Sequence, residues 1–152
     1  MKKAFVETCH VSKTFNAPLG FVYRWCTDCR RDDPKMVGSK WKRNILERSK
    51  RNVVWRVIRT GKAKGYEGVR AVWLEPPNAW HLDTCGDRHE VGDYRLTSLG
   101  KTRTRLDMKF TVEYYDAKKV EPKKTWEADA KANWDSYGSF LEKDYRRYLR
   151  TK

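Results

Sequence analysis

The clearest pattern in the chain is a strict alternation from Leu106 to Tyr114. Leu106, Met108, Phe110, Val112 and Tyr114 share one parity; Asp107, Lys109, Thr111 and Glu113 share the other. A period of two turns one face of a strand to a core and the other to water. From Pro122 the period lengthens. Trp126, Ala130, Trp134, Tyr137, Leu141, Tyr145 and Tyr148 recur at steps of three or four, with Phe140 beside the stripe. That spacing predicts one amphipathic helix of about 28 residues, roughly 42 Å long. Pro122, Glu121 and Glu127 suit its positive end, and Arg146, Arg147, Arg150 and Lys152 its negative end. Gly138, unfavourable in a helix interior, marks a close backbone approach or a bend.

The remaining chain divides by the same test. Ala4 to Phe15 reads as a strand rich in Val, Thr and Phe. Asn16 is a good helix cap, Pro18 fits a first turn, and Leu19, Val22, Trp25 and Cys26 follow at helical spacing, which predicts a short helix over 17–28. Asp33-Pro34 starts a second, of a turn or two, before Gly38. Strands are predicted over 41–49, 52–60, 66–74, 79–84, 90–99 and 102–115. The breaks fall at Lys50-Arg51, at 61–65, at Pro76-Pro77-Asn78, at Gly86-Asp87 and at Gly100. Short turns imply antiparallel neighbours, about seven strands in all. Parity places Trp55 and Val57 inward opposite Arg56. It places Val69, Ala71 and Trp73 inward opposite Arg70, and Tyr94 and Leu96 inward opposite Asp93 and Arg95.

One strand, two short helices, six strands and one long helix make an α+β order. A twisted antiparallel sheet that faces a single helix must curve to cover it, and large rings on both surfaces hold the layers apart around a cavity. This order resembles the START/Bet v 1-like helix-grip superfamily, also grouped as SRPBCC or polyketide cyclase/dehydrase-like. The residues that carry the resemblance are the strand leading into Asn16-Ala17-Pro18-Leu19-Gly20-Phe21-Val22 and ending Cys26-Thr27-Asp28, and the strand end at Pro76-Pro77. The helix containing Trp134, Tyr137 and Leu141-Glu142-Lys143-Asp144-Tyr145-Arg146 completes the set. The resemblance spans residues 1–152 as one ligand-binding domain. It implies a curved sheet of about seven strands wrapped on the C-terminal helix, with a lipid, polyketide or isoprenoid-like molecule held between them. Some relatives are cyclases, which makes a polyketide cyclase-like enzyme an alternative. Where plant members carry a glycine-rich loop, Ser49-Lys50-Arg51-Asn52 stands.

Composition narrows the partners. Hydrophobic residues are 39% of the chain, but 7 Trp, 8 Tyr and 5 Phe supply bulk enough for a core despite 36% charged residues. No apolar run reaches membrane-spanning length, and Ala4-Phe5-Val6 is too short for a signal-peptide core, so a cytoplasmic protein without a membrane span is expected. Cys9, Cys26, Cys29 and Cys85 are too sparse for a disulfide framework. The net charge is +14, and residues 1–60 hold 15 Lys/Arg against 5 Asp/Glu. The basic residues of 40–59, with Trp41 and Trp55 among them, make nucleic-acid binding the alternative from another class.

The candidate ligand-binding residues are Phe21, Trp25, Trp55, Trp73, Tyr94, Met108, Phe110, Trp134, Tyr137 and Leu141. Cys26-Thr27-Asp28-Cys29 is a CxxC at the wrong end of a helix for thiolate stabilisation. A zinc site would need ligands from Cys9, His10, His81 or Cys85, so no metal or cofactor is assigned. His81 and Asp83 share a strand face as a possible acid–base pair. No nucleophile, zincin, Walker or dinucleotide motif is present, and no catalytic residue is assigned.

Overall fold

The computed structural model describes residues 5–30, 33–36, 41–59, 68–86 and 88–152. Its elements run β1 (Phe5–Phe15), α1 (Leu19–Thr27), α2 (Asp33–Met36), β2 (Trp41–Arg48), β3 (Asn52–Arg59), β4 (Gly68–Glu75), β5 (Ala79–Gly86), β6 (Arg88–Ser98), β7 (Thr104–Tyr114) and α3 (Lys123–Arg150), with a single 3-10 turn at Ala117–Lys119. Of the elements expected from sequence, Ala4, Gly38, Lys40, Thr60, the 61–65 turn, Tyr66 and Asp87 lie outside the described residues.

The strands form one seven-stranded antiparallel sheet in the order β1-β7-β6-β5-β4-β3-β2. Each strand from β2 to β7 pairs with its neighbour in the chain. The exception is β1, which crosses to the far side and pairs with β7, Phe5 opposite Tyr114 and Phe15 opposite Thr104. The alternation of β7 translates directly: Thr104, Leu106, Met108, Phe110, Val112 and Tyr114 are buried, while Arg105, Lys109 and their parity face outward. Each such apolar side chain removed from water contributes about 1.5–3 kcal/mol.

α3 crosses the concave face. It is tied to β1 by the Lys13–Asp135 ion pair at 2.8 Å, and by the Asn16 and His10 backbone N–H groups, which donate to the Glu142 and Glu127 carboxylates at 2.8 and 3.4 Å. Gly138 lies where the helix backbone comes nearest β1. A Cβ there would stand 2.9 Å from Lys13 Cε and 3.4 Å from the Phe15 ring. The expected close approach is therefore real. Asn16 does not cap α1: Pro18 occupies that position with no side-chain cap, and the first turn closes through Val22 N–H to the Pro18 carbonyl at 3.0 Å.

One strand face is the reverse of the expectation. On β4, Val72 is buried and Arg70 points inward with it, whereas Val69 and Trp73 are each 42% exposed on the outer face. The strand carries apolar residues on both parities. The register decides, because Val53 and Trp55 on the inner face of β3 sit opposite Val72 and Arg70. The inward parities of β3 and β6 stand as expected, with Trp55, Val57, Tyr94 and Leu96 buried.

Candidate functional site

Between the sheet and α3 lies a cavity of about 330 Å³. β3, β4 and β5 supply its floor with Val57, Val72 and Leu82, and β7 adds Met108 and Phe110. Its walls are rings: Trp25 from α1, Trp55 from β3, Trp80 and Tyr94 from β5 and β6, and Trp126, Trp134 and Tyr137 from α3. The helix rings are partly buried and border this cavity. Gly92 makes room for the arrangement, since a Cβ there would meet Tyr94, Leu82 and Phe110 at 2.9–3.2 Å.

The rings hold one another at defined angles. Trp134 sits 5.5 Å from Tyr137, 6.1 Å from Tyr94 and 6.2 Å edge-on from Phe15. Trp25 meets Tyr137 edge-on at 6.2 Å, and its indole N–H donates to the Asp144 carboxylate at 2.9 Å, which pins α1 to α3. The Trp126 indole donates to the Tyr114 hydroxyl.

Charged residues interrupt the apolar lining, Asp129 on α3 and two paired groups. The first centres on Glu90, which is 2% exposed. Arg70 donates from Nη2 to Glu90 Oε2 at 2.7 Å and from Nε to the Thr84 hydroxyl at 2.8 Å; Arg88 donates from Nε to Glu90 Oε1 at 2.8 Å. A buried carboxylate is tolerable only with such partners. Arg88 also covers the Trp126 ring at 4.4 Å. The second group joins Arg43 on β2 to Asp33 on α2 at 2.6 Å and to the Arg30 carbonyl at 2.9 Å, with the Arg43 guanidinium 4.2 Å above the Trp55 ring.

One buried donor of this lining has no hydrogen-bond partner among the described residues: the indole N–H of Trp55, a residue 3% exposed. The Tyr94 phenol is held well above its ordinary range by burial, against the opposing pull of Arg70; burial likewise pushes Tyr137 up to about 12, against Arg43. Both hydroxyls are therefore protonated donors at neutral pH. Such donors among apolar walls can orient a molecule that carries an oxygen acceptor.

Of the residues expected to bind ligand, Trp25, Trp55, Tyr94, Met108, Phe110, Trp134 and Tyr137 line the cavity. Trp73 does not: it is on the outer face against His81, with ring centroids 5.7 Å apart. Phe21 packs instead on Tyr145 and Tyr148, at 4.9 and 5.6 Å, and Leu141 is wholly buried in the core. Trp80, Arg43, Arg70, Arg88 and Glu90 are lining residues that sequence reasoning missed. Glu90 had a legible signal, since a carboxylate shares the inward parity of Tyr94 and Leu96.

The other chemical candidates are rearranged. Cys26 and Cys29 both border the cavity, and burial raises the Cys29 thiol to about 11 and Cys26 well above its usual range, so they are inert thiols. His81 and Asp83 do share the outer face but do not pair: His81 bonds Asp93 and Asp83 bonds His89, each at 2.7 Å. In the basic hairpin, Trp55 faces the cavity, and Arg48 is bound to the Asp28 and Cys29 carbonyls at 2.8 and 3.1 Å.

A curved seven-stranded antiparallel sheet gripping one long helix around a cavity is the START/Bet v 1-like helix-grip fold, and this chain has it. Solved structures that it resembles include the Zhui aromatase/cyclase from Streptomyces sp. R1128, with TM-score 0.68 and 14% identity over 95% of this chain and 96% of that one. A point mutant of norcoclaurine synthase from Thalictrum flavum, in complex with a transition-state analogue, aligns with TM-score 0.72 and 9% identity over 93% and 98%. Ara h 8.0201 aligns with TM-score 0.67 and 11% identity over 90% and 98%. No family model matches the sequence, and no curated protein is significantly similar to it.

Proposed function

We propose that this protein binds a hydrophobic small molecule non-covalently between the sheet and α3, as a carrier of a lipid, polyketide or isoprenoid-like ligand. The observation that carries this reading is the cavity of about 330 Å³, whose walls are largely indole and phenol rings, interrupted by paired charged groups such as Glu90 with Arg70 and Arg88. Apolar walls with localised polar groups that can orient a ligand are the usual anatomy of a small-molecule site. The named functions of the Streptomyces and Thalictrum neighbours, which act on small organic molecules, support it. Native mass spectrometry of protein from its own host tests it: a retained small molecule is expected. Protein that carries none, and whose tryptophan fluorescence ignores a panel of polycyclic and isoprenoid probes, overturns it.

A cyclase-like enzyme is the second reading, favoured by the placement of the Tyr94 and Tyr137 phenols on the cavity wall, because a phenol O–H can donate to a carbonyl oxygen that gains negative charge. A poly-β-ketone that becomes aromatic with this protein, but not with Tyr94→Phe, supports catalysis. Nucleic-acid binding loses Trp55 as a stacking ring, since that indole faces the cavity. A cytoplasmic site fits the four unpaired cysteines, and among the described residues no helix is long and apolar enough to cross a membrane.

A further inference from the structure

On the outer face of the sheet, opposite to the cavity lining, the β5–β6 hairpin gathers three side chains of metal-binding type. Asp83 and Cys85 lie two apart on β5 and so share that face, and the antiparallel register, continued past Thr84↔Glu90, sets Cys85 across from His89. Their ligand atoms, Asp83 Oδ1, Cys85 Sγ and His89 Nε2, lie within 4.8 Å of one another. We propose that these three residues bind a zinc-class divalent cation.

The donor set favours that class. Thiolate, imidazole and carboxylate together suit a borderline ion, whereas calcium and magnesium take oxygen ligands alone. Tetrahedral zinc with these donors spaces its ligand atoms about 3.4–3.6 Å apart. Here His89 Nε2 and Asp83 Oδ1 are 2.7 Å apart, and Cys85 Sγ stands 4.0 Å from the same oxygen. These two distances differ from the metal-bound spacing by less than about 1 Å, within the reach of side-chain rotation, and the His89–Cys85 pair lies within 4.8 Å. Cys85 has no other polar contact among the described residues, and it is exposed, so an ion can reach it.

A second carboxylate completes the geometry. Glu113 on β7 is in register with His89, and its Oε2 lies 3.9 Å from His89 Nδ1, the nitrogen turned away from Asp83. A histidine that ligates through one nitrogen commonly donates the other N–H to a carboxylate, which fixes its tautomer. Glu113 is thus a positioning residue for the site. On binding, the Cys85 thiol releases its proton to solvent, and the hydrogen between His89 Nε2 and Asp83 leaves, to solvent from a charged ring or to Nδ1 from a neutral one. The ion takes its place, and the bound neutral imidazole carries its one proton on Nδ1, facing Glu113. Three protein ligands leave the fourth position of a tetrahedron to water.

The test is titration of the reduced full-length protein with cobalt(II), then displacement by zinc(II). Expected are one equivalent of cobalt bound and a thiolate-to-cobalt charge-transfer band. That band is lost in Cys85→Ser and retained when Cys26 and Cys29 are both replaced by Ser. Glu113→Gln should weaken binding about 10- to 100-fold with the band unchanged in form. Zinc should also slow alkylation of Cys85. No band in the unaltered protein, or a band that survives Cys85→Ser, overturns the site and leaves an ordinary His89–carboxylate ion pair. An unchanged affinity in Glu113→Gln overturns the positioning role.

Discussion

The Tyr94 ring lies flat against the indole of Trp80, their centroids 5.0 Å apart and their planes 9° from parallel. The two residues are cross-strand partners on β6 and β5, so the pair braces the sheet while forming one wall of the cavity. Trp80→Ala should cost about 3–5 kcal/mol in a urea titration. Tyr94→Phe keeps the stack and removes only a hydroxyl with no described partner, so stability should stay within about 0.5 kcal/mol. Retention of the native ligand should fall in that variant. A Tyr94→Phe protein that holds its ligand as firmly as the parent would remove the phenol from the binding site.

Glu90 is the charge on which the interior of β4 and β6 depends. Glu90→Ala would take away the carboxylate that Arg70 and Arg88 share, and removal of one partner from a buried ion pair costs about 3–5 kcal/mol. Glu90→Gln preserves two acceptor or donor positions but not the charge, and should fall between the parent and the alanine variant. Denaturation curves of the three proteins give the order. Equal stabilities would show that water reaches the arginines freely.

Asp28 gives the fold a pH dependence of unusual sign for a carboxylate. Burial first, and then the Asp33 charge, raise it to about 6, against the pull of Arg30. Between about pH 4 and 6 the folded chain therefore holds a proton that the unfolded chain has lost, and this group's contribution to stability declines as pH rises through that window. Asp28→Asn should stabilise the protein at pH 7 and make no difference at pH 4. A gain of equal size at both values would show that the effect is not electrostatic.

At Gly138 two effects oppose one another. Alanine there gains about 1 kcal/mol of helix propensity, but its Cβ displaces the Lys13 side chain, whose ion pair with Asp135 is surface-exposed and worth about 0–1 kcal/mol. Gly138→Ala should therefore be neutral or slightly stabilising. Gly138→Leu extends into the Phe15 ring, where nothing can yield, and should lower the thermal midpoint.

The fold was legible because β7 and α3 each carry a single clean period, and the elements before β7 end at Pro, Gly or polar pairs. The cavity was legible through its rings but not through its charges. Arg70 and Glu90 are twenty positions apart, and only the sheet register shows that they neutralise each other. Trp73 was misplaced because β4 has apolar residues on both parities, and a half-exposed indole against His81 is as good a neighbour as a core position. His81 and Asp83 failed as a pair for a geometric reason. His81 bonds Asp93, the residue directly opposite it on β6, and Asp83 bonds His89, its diagonal neighbour on the same strand, so each took a partner across the strands and not along its own.

The pairing of β1 with β7 bears on when the binding chamber comes into existence. Thr8 meets Thr111 across 103 positions of chain, and α3, which roofs the cavity, follows later still. The local hairpins from β2 to β7 can form while the ribosome is still at work, but the first strand must wait for the last. Such a high contact order makes closure slow and late. The cavity has no roof until α3 has been made, so the strands alone cannot enclose a molecule within it.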